Sequence, residues 1–364
     1  MFRVDPEISP GSPAFSPDQD QKMTHPKAIN PENGKTRKPG IFITGAPRSG
    51  TTWAGKVFAS VPNTLYVHEP FNPVSPCAYS PMRVPEFFYR LDKEKNEREL
   101  KYMQDLIDIR FRRCSLKLFD LNDPKTVLSR MNYCVKGLLG MAKADRAVIK
   151  DPIAIMSADV LSRNLNMKPL FMVREPAACV SSLYIRNWRT DFEPLWKQRD
   201  RLSEIIPDEI DQLKLLIDKP DHDMIDNASF VWRFCNSAII NYLKQNSEWA
   251  VTRHEDLIED PIAAFRQLFD KLEIPWNSDT STFIESLNST SSDDPSGEEA
   301  GEEPDPSGKM NDKEEIPVIF NIKRDLKKMK TVANDRLTSS QQLKIKKNTE
   351  DVNEQLLELI EARN

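Results

Sequence analysis

The stretch GIFITGAPRSGTTW, residues 40–53, decides how this sequence is interpreted. An apolar run, residues 41–44, leads into a segment with Gly45 and Gly50, and a helical pattern follows. In a strand–loop–helix segment, glycines let the backbone approach a ligand closely, and the N–H groups at the helix N-terminus gather on an anion. The stretch therefore predicts a phosphate-binding loop.

The side chains of this loop narrow the choice of phosphate ligand. Thr51 follows Gly50, where a nucleotide-hydrolysing P-loop carries the lysine that reaches the β- and γ-phosphates. A ligand with one phosphate at its reacting end needs neither that lysine nor Mg²⁺, so the loop favours such a ligand over Mg-ATP. A P-loop kinase is the enzymatic alternative. The predicted cation is Arg48, and the predicted hydroxyl donors are Ser49, Thr51 and Thr52.

The rest of the chain alternates between short β-branched or aromatic runs and longer stretches with apolar residues three and four apart. The runs predict strands at 41–44, 64–67, 147–150, 169–173 and 249–252. The longer stretches predict helices at 51–60, 125–143, 176–188, 225–245 and 261–272, and from residue 338 onward. This alternation predicts an α/β fold, a parallel sheet flanked by helices on both faces.

Composition separates one folded domain, residues 40–364, from two polar segments that are predicted to be disordered. One is an N-terminal tail, residues 1–39, and the other is an acidic insertion at about 288–315. Residues 291–315 carry ten acidic residues and two lysines, a net charge of −8, so the whole-chain charge of −5 leaves +3 for the remainder. A mildly basic body weakly favours an anionic ligand.

Other classes of protein are disfavoured by what the sequence lacks. The five cysteines are scattered singly, which favours reduced thiols in a reducing compartment. No signal peptide and no apolar run of about 18 residues is visible, so we expect a cytoplasmic protein without a membrane span. The four histidines show no metal-ligand spacing, and no dense basic patch with interleaved aromatics appears. Neither a metal nor a nucleic acid is therefore expected.

PRSGTTW, residues 47–53, resembles the 5′-phosphosulfate loop of the sulfotransferases that use 3′-phosphoadenosine 5′-phosphosulfate (PAPS). A second motif strengthens the resemblance, since Arg174 follows a predicted strand and Ser182 lies eight residues later. In that family such a pair holds the 3′-phosphate, where an arginine fork and a hydroxyl both donate. The resemblance spans roughly residues 40–287 and resumes from about 316. It implies a P-loop-like sulfotransferase fold, PAPS as cofactor and 3′-phosphoadenosine 5′-phosphate (PAP) as product, bound by Arg48, Ser49, Gly50, Thr51, Thr52, Trp53, Arg174 and Ser182.

The resemblance also implies a general base, which takes the proton of the acceptor as sulfur is attacked. Carbohydrate-type members show a Glu-Pro pair after the second strand, and Glu69 precedes Pro70 here. Glu69 is therefore the predicted base. His68 is the rival, because a histidine needs less pKa adjustment to work near neutrality.

Further matches to the family are softer. Lys150, in a Lys-Asp-Pro segment, either stabilises the sulfuryl group or the leaving phosphate, or simply pairs with Asp151. The Gly-x-x-Gly-x-x-Lys element of many cytosolic animal members is absent, and Arg324 is predicted to supply the late 3′-phosphate cation instead. The segment 253–257, RHEDL, resembles the Arg-Tyr-Glu-Asp-Leu turn of the family and is interpreted as scaffold.

The resemblance implies in-line transfer to a hydroxyl or amine of a glycan, glycolipid or small-molecule acceptor. Residues 70–89 hold five prolines and five aromatics and are predicted to form an ordered loop. Its aromatic faces either stack on a sugar or pack on the loop's own core. Trp188 and Trp196, which lie among several basic residues, are predicted to line a second side of the acceptor site. A non-catalytic nucleotide-binding scaffold that docks partners through its acidic segment is the alternative from another class. The presence of both Glu69 and Arg48 favours the enzyme.

Overall fold

A computed structural model of the chain describes residues 38–74, 83–109, 143–219, 222–288 and 336–363. Its strands are β1 Gly40–Gly45, β2 Thr64–His68, β3 Arg146–Lys150, β4 Met167–Val173 and β5 Ala250–Arg253. They form one parallel sheet in the order β2-β3-β1-β4-β5. Each strand overlaps a predicted one, so the predicted parallel sheet is confirmed.

Helices connect and cover these strands. They are α1 Thr51–Ala59, α2 Glu97–Ile107, α3 Ala158–Asn164, α4 Pro176–Ile185, α5 Glu193–Lys197, α6 Arg199–Leu202, α7 Ile210–Asp218, α8 Met224–Gln245, α9 His254–Glu259, α10 Pro261–Lys271, α11 Ser278–Asn288 and α12 Ser339–Glu361. Short 3₁₀ turns lie at Ile153–Ser157 and Pro207–Glu209. Within the described residues, no helix is both long enough and apolar enough to cross a membrane.

Most predicted helices are confirmed, with one boundary to correct. The helix predicted at 176–188 ends at Ile185, because Asn187 adopts a left-handed φ of 50° and the N–H of Trp188 turns back to the carbonyl of Leu183 at 3.0 Å. These are the features of a Schellman C-cap. The described residues do not include residues 125–142 of the predicted helix 125–143, Arg324, the acidic segment from residue 289 onward or residues 1–37 of the tail.

The core lies on both faces of the sheet because side chains alternate along each strand. Phe42 points into a cluster with Trp232 of α8 and Leu356 of α12, whereas Ile41 and Ile43 point into the opposite cluster. α1 and α10 cover the second face, where aromatic rings of the two helices stack with centroids 4.7 Å apart. The sheet is therefore covered on both sides, as the sequence predicts.

The C-terminal helix α12 packs along α8 and begins with a capped first turn. The hydroxyl of Thr338 accepts from the N–H of Gln341, and the side chain of Gln341 binds the N–H of Thr338, which forms a capping box. Arg233 of α8 donates to the buried Glu209 at 2.7 Å and to Asp351 of α12 at 2.6 Å. This ion-pair network fixes α12 against the body of the domain.

Candidate functional site

Three neighbouring strands end at one edge of the sheet, and each carries a predicted site residue there. β1 leads into the glycine loop, β3 ends at Lys150, and β4 ends directly before Arg174. β1 lies between the other two. Ligands of open α/β sheets bind outside the carboxyl ends of the strands, so the fold brings motifs that are distant in sequence to the expected place.

The glycine loop is closely packed on both sides. A Cβ at Gly45 would lie 2.2 Å from the carbonyl oxygen of Met172 in β4. Gly50 has a φ of +95°, and a Cβ there would lie 2.5 Å from Cδ2 of the buried His254. Arg48 also adopts a left-handed φ, of 73°, a conformation that is sparsely populated and clusters at functional sites. The loop therefore holds one defined shape as it enters α1.

The predicted donors of this loop lie at the start of α1. Ser49 is fully buried, and its Oγ has no hydrogen-bond partner among the described residues. Thr51 is buried and Thr52 is half-buried at the first turn of the helix. The indole of Trp53 instead packs edge-on against His254 with ring centroids 5.8 Å apart, in the core beneath the loop. A buried hydroxyl without a protein partner is costly, and a phosphate oxygen would satisfy that of Ser49.

The second motif meets the loop directly. Nε of Arg48 donates to Oγ of Ser182 at 2.9 Å, and Nη1 of Arg174 donates to the carbonyl oxygen of Arg48 at 3.0 Å. The indole of Trp232 donates to the carbonyl oxygen of Arg174 at 2.9 Å and so fixes the end of β4. Arg174 and Ser182 are both buried. Two arginines and a serine from separate segments thus form one contiguous cluster at the mouth of the loop.

Glu69 occupies a strained and buried position after β2. Its φ is 42°, and its side chain is 3% exposed. Oε1 accepts a hydrogen bond from the ammonium of Lys150, and Oε2 accepts from Nδ2 of Asn72 at 3.2 Å. Lys150 is itself completely buried. The structure therefore places the ammonium of Lys150 on the predicted base.

His68, the rival base, lies beside Glu69. Its Nε2 is 3.8 Å from Oε1 of Glu69, and its Nδ1 is 3.2 Å from the hydroxyl of Tyr66. The imidazole is 29% exposed, in contrast to the nearly buried carboxylate. The two candidates thus share one turn, and Glu69 is held there at both of its carboxylate oxygens.

Asp151 is a buried acid that the sequence did not single out as a site residue. Its Oδ2 accepts from the N–H of Phe71 at 2.7 Å, and its Oδ1 accepts from those of Ile153 and Ala154 at 3.0 and 3.2 Å. Burial and the negative charge of Glu69 raise the pKa of Asp151 to about 8, while the N–H of Phe71 and the charge of Lys150 act in the opposite direction. The sequence feature that could have identified Asp151 is its position directly after Lys150, at the end of a predicted strand.

The segment that resembles the family turn, 253–257, forms the end of β5 and the start of α9. His254 packs over Gly50, as described above, and Oε1 of Glu255 accepts from the N–H of Glu175 at 3.1 Å. Burial raises the pKa of Glu255 above its usual range. The segment therefore contacts both donor motifs, so the scaffold role predicted for it consists of packing against the glycine loop and binding the main chain after Arg174.

The chain directly after the predicted loop 70–89 contacts the segment directly after Trp196. Gln198 accepts from the N–H of Arg90 at 2.8 Å, and Arg201 donates to the carbonyl oxygen of Arg90 at 2.9 Å while its guanidinium lies 5.4 Å from the ring centre of Tyr89. The guanidinium of Arg199 lies 4.9 Å from the ring centre of Trp196. The predicted loop 70–89 is only partly described, because residues 75–82 lie outside the described residues.

The chain is similar to known sulfotransferases. The model of the sulfotransferase family matches residues 39–278, more than half of the chain. No curated protein sequence matches significantly. Similar solved structures include a sulfotransferase domain from the curacin biosynthetic pathway, which is 21% identical, with 67% of this chain and 77% of that chain covered and a TM-score of 0.35. A sulfotransferase from Alicyclobacillus acidocaldarius is 17% identical, with 68% and 90% covered and a TM-score of 0.32. The sulfotransferase STF9 from Mycobacterium avium is 14% identical, with 69% and 68% covered and a TM-score of 0.35.

Proposed function

Because this chain belongs to the sulfotransferase family, we propose that it moves a sulfuryl group from PAPS to a hydroxyl or amine of a glycan, glycolipid or small-molecule acceptor. The observation that carries the proposal is the direct contact between the two predicted donor motifs, in which Arg174 and Ser182 both bind Arg48. A ligand with a phosphate at each end of one nucleotide would be held by such a cluster.

The residues at the loop fit the 5′ end of PAPS. The start of α1 offers N–H groups and a positive helix end, and Ser49 offers a buried hydroxyl that has no protein partner among the described residues. Arg48 supplies a cation at the same place. Arg174 and Ser182 are assigned to the 3′-phosphate, with Arg324 as a further cation from outside the described residues.

The chain promotes transfer mainly through positioning and electrostatics, as in phosphoryl transfer. Bound PAPS supplies an activated sulfuryl group on its 5′-phosphate. Arg48 and the N–H groups at the start of α1 stabilise the charge that gathers on the oxygen of that phosphate. Removal of one such donor typically lowers the rate about 100- to 1,000-fold.

Glu69 takes the proton of the attacking acceptor. Its two carboxylate oxygens each keep a lone pair beyond those that accept from Lys150 and Asn72. The ammonium of Lys150 fixes the direction of one of these oxygens. His68 is more exposed than Glu69, so we assign it to the edge of the site.

Donor binding is tested by thermal unfolding of the purified protein with PAP, with Mg-ATP and with neither. A ligand at about 100 times its Kd stabilises the native state by about 2.7 kcal/mol, and we expect this shift with PAP. Arg174→Ala should abolish it, whereas Arg266→Ala, an exposed arginine of α10, should keep it. A shift with Mg-ATP alone would contradict the proposal and favour a kinase.

The base is tested by turnover with PAPS over a panel of hydroxyl and amine acceptors. Glu69→Gln should lower kcat strongly and leave the PAP-induced shift unchanged, and His68→Gln should have the smaller effect on kcat. The reverse order of effects would assign His68 as the base. Loss of the PAP-induced shift in Glu69→Gln would instead place Glu69 in donor binding.

A further inference from the structure

Glu69 is held in a conformation that its sequence alone does not favour. A φ of 42° places it in the left-handed region, which a residue with a Cβ occupies only when its surroundings impose it. Glycine would adopt this turn freely, but glycine has no carboxylate. A strained backbone at Glu69 is therefore what points the carboxylate in this direction, and some neighbouring group must hold the backbone in this conformation.

The main chain around Glu69 is fixed at three successive points. The N–H of Glu69 donates to the carbonyl oxygen of Lys150 at 2.8 Å, which extends the β2–β3 pairing. The N–H of Asn72 donates to the carbonyl oxygen of Glu69 at 3.1 Å and closes the turn. Between them, the N–H of Phe71 donates to Oδ2 of Asp151 at 2.7 Å. Of the three, only this last bond depends on a side chain.

Asp151 is anchored on its other side, so it can resist movement of the turn. Its N–H donates to the carbonyl oxygen of Ile43 in β1 at 2.9 Å, and Oδ1 accepts two N–H groups of the 3₁₀ turn. Asp151 is completely buried. Through its main chain and its side chain, this one residue joins the central strand, the 3₁₀ turn and the turn that presents Glu69.

We propose that Asp151 is the positioning residue of the base: by holding the N–H of Phe71 it keeps Glu69 in its left-handed conformation, with the carboxylate between Lys150 and Asn72. This inference rests on the proposed function only for the role of Glu69 as base. The conformational part, that Asp151 imposes the φ of Glu69, is independent of what the protein catalyses.

Two substitutions remove this one bond and keep the others. In Asp151→Asn the amide oxygen can still accept from the 3₁₀ turn, but the nitrogen then faces the N–H of Phe71 and cannot accept. In Asp151→Ser the hydroxyl can accept from the same 3₁₀ turn, as a capping serine does, but it is too short to serve both sides. Agreement between the two variants separates loss of the Phe71 bond from failure to fold. Asp260→Asn is the matched control, because Asp260 accepts the N–H of Ala263 at 3.0 Å on α10.

The first readout is structural. Crystal structures of the native protein and of Asp151→Asn should show Glu69 with a left-handed φ in the first and a relaxed, negative φ in the second. An unchanged φ in Asp151→Asn would overturn the proposal whatever the protein catalyses. The PAP-induced thermal shift should persist in both Asp151 variants, since the glycine loop is untouched.

The second readout is kinetic. Misplacement of a reacting group by about 1 Å costs on the order of 100-fold in rate, so we expect Asp151→Asn to lower kcat by about that factor, with little change in KM for PAPS and none in Asp260→Asn. Because Asp151 acts through Glu69, the same change in a Glu69→Gln background should lower kcat little further. An equal loss of kcat in both backgrounds would overturn the proposal. A native protein that binds PAP but sulfates nothing would instead overturn the proposed function, and the structural readout would then decide the role of Asp151.

Discussion

Gly50→Ala tests the packing of the glycine loop directly. The substitution adds one methyl group to a residue whose φ is +95°, and that methyl would lie 2.5 Å from Cδ2 and 3.2 Å from Nε2 of His254. The ring is 1% exposed and packs against Trp53, so it has little room to move. Two separate costs are therefore expected.

The first cost is backbone strain, about 1–2 kcal/mol for a Cβ in a left-handed conformation. The second is overpacking, typically about 1–3 kcal/mol in a well-packed core. Together they predict that Gly50→Ala lowers the free energy of unfolding by about 2–5 kcal/mol. Gly40→Ala is the matched control, because a Cβ at Gly40 has its nearest contact at 3.4 Å, an ordinary van der Waals distance.

The assay is denaturant unfolding of the native protein, both glycine variants, His254→Ala and the double variant Gly50→Ala/His254→Ala. Removal of the ring should remove the overpacking share, so the cost of Gly50→Ala should fall to about 1–2 kcal/mol in the His254→Ala background. A Gly50→Ala protein as stable as the native one would refute the packing described for the loop. An undiminished cost in the His254→Ala background would refute the role of His254.

Three further predictions concern stability. Arg233→Ala leaves the buried carboxylate of Glu209 without its cation and should lower the free energy of unfolding in urea by about 3–5 kcal/mol. Asp351→Asn changes a side chain that is 64% exposed and should lower it by at most about 1 kcal/mol. Equal losses of stability in the two variants would contradict the ion-pair network. The pKa of Asp151 is raised in the folded state to about 8, so its contribution to stability is full below about pH 4 and is lost as pH rises through about 8. The stability advantage of the native protein over Asp151→Asn should therefore shrink between pH 5 and pH 9 (about four pH units). A constant difference in stability would contradict the raised pKa. Thr338→Ala removes the cap of α12 and should cost about 1 kcal/mol, and no change in the unfolding midpoint would show that the cap is not formed in solution.

The strands were predictable because buried parallel strands are short, apolar and bounded by polar residues. Ile41–Thr44 and Leu170–Val173 are nearly continuous apolar runs, which is the pattern of strands covered on both faces. The face of α12 was predictable for the same reason, since Ile345, Val352 and Leu356 lie at helical spacing and all are buried. Local pattern and tertiary burial agree at these elements.

The end of α4 and the neighbours of Glu69 were less predictable. The apolar pattern continues through Trp188, but the helix ends three residues earlier because Asn187 takes a left-handed conformation. Asn72 and Asp151 hold the turn of Glu69 through hydrogen bonds across 3 and 80 residues of sequence. Neither contact produces a periodic pattern or a distinctive composition, so neither can be recognised in a single sequence.

The arrangement of α8 explains why a helix at the far end of the chain bears on the donor site. Trp232 and Arg233 are adjacent on α8, so their side chains point in different directions from one turn. The first donates to the carbonyl oxygen of Arg174, and the second binds Asp351 on α12. Any rotation of α8 that broke the contact with α12 would also withdraw the indole from the end of β4. The guanidinium of Arg174 holds the carbonyl of Arg48 at 3.0 Å, so the strained loop is connected through α8 to the C-terminal helix by hydrogen bonds at each step.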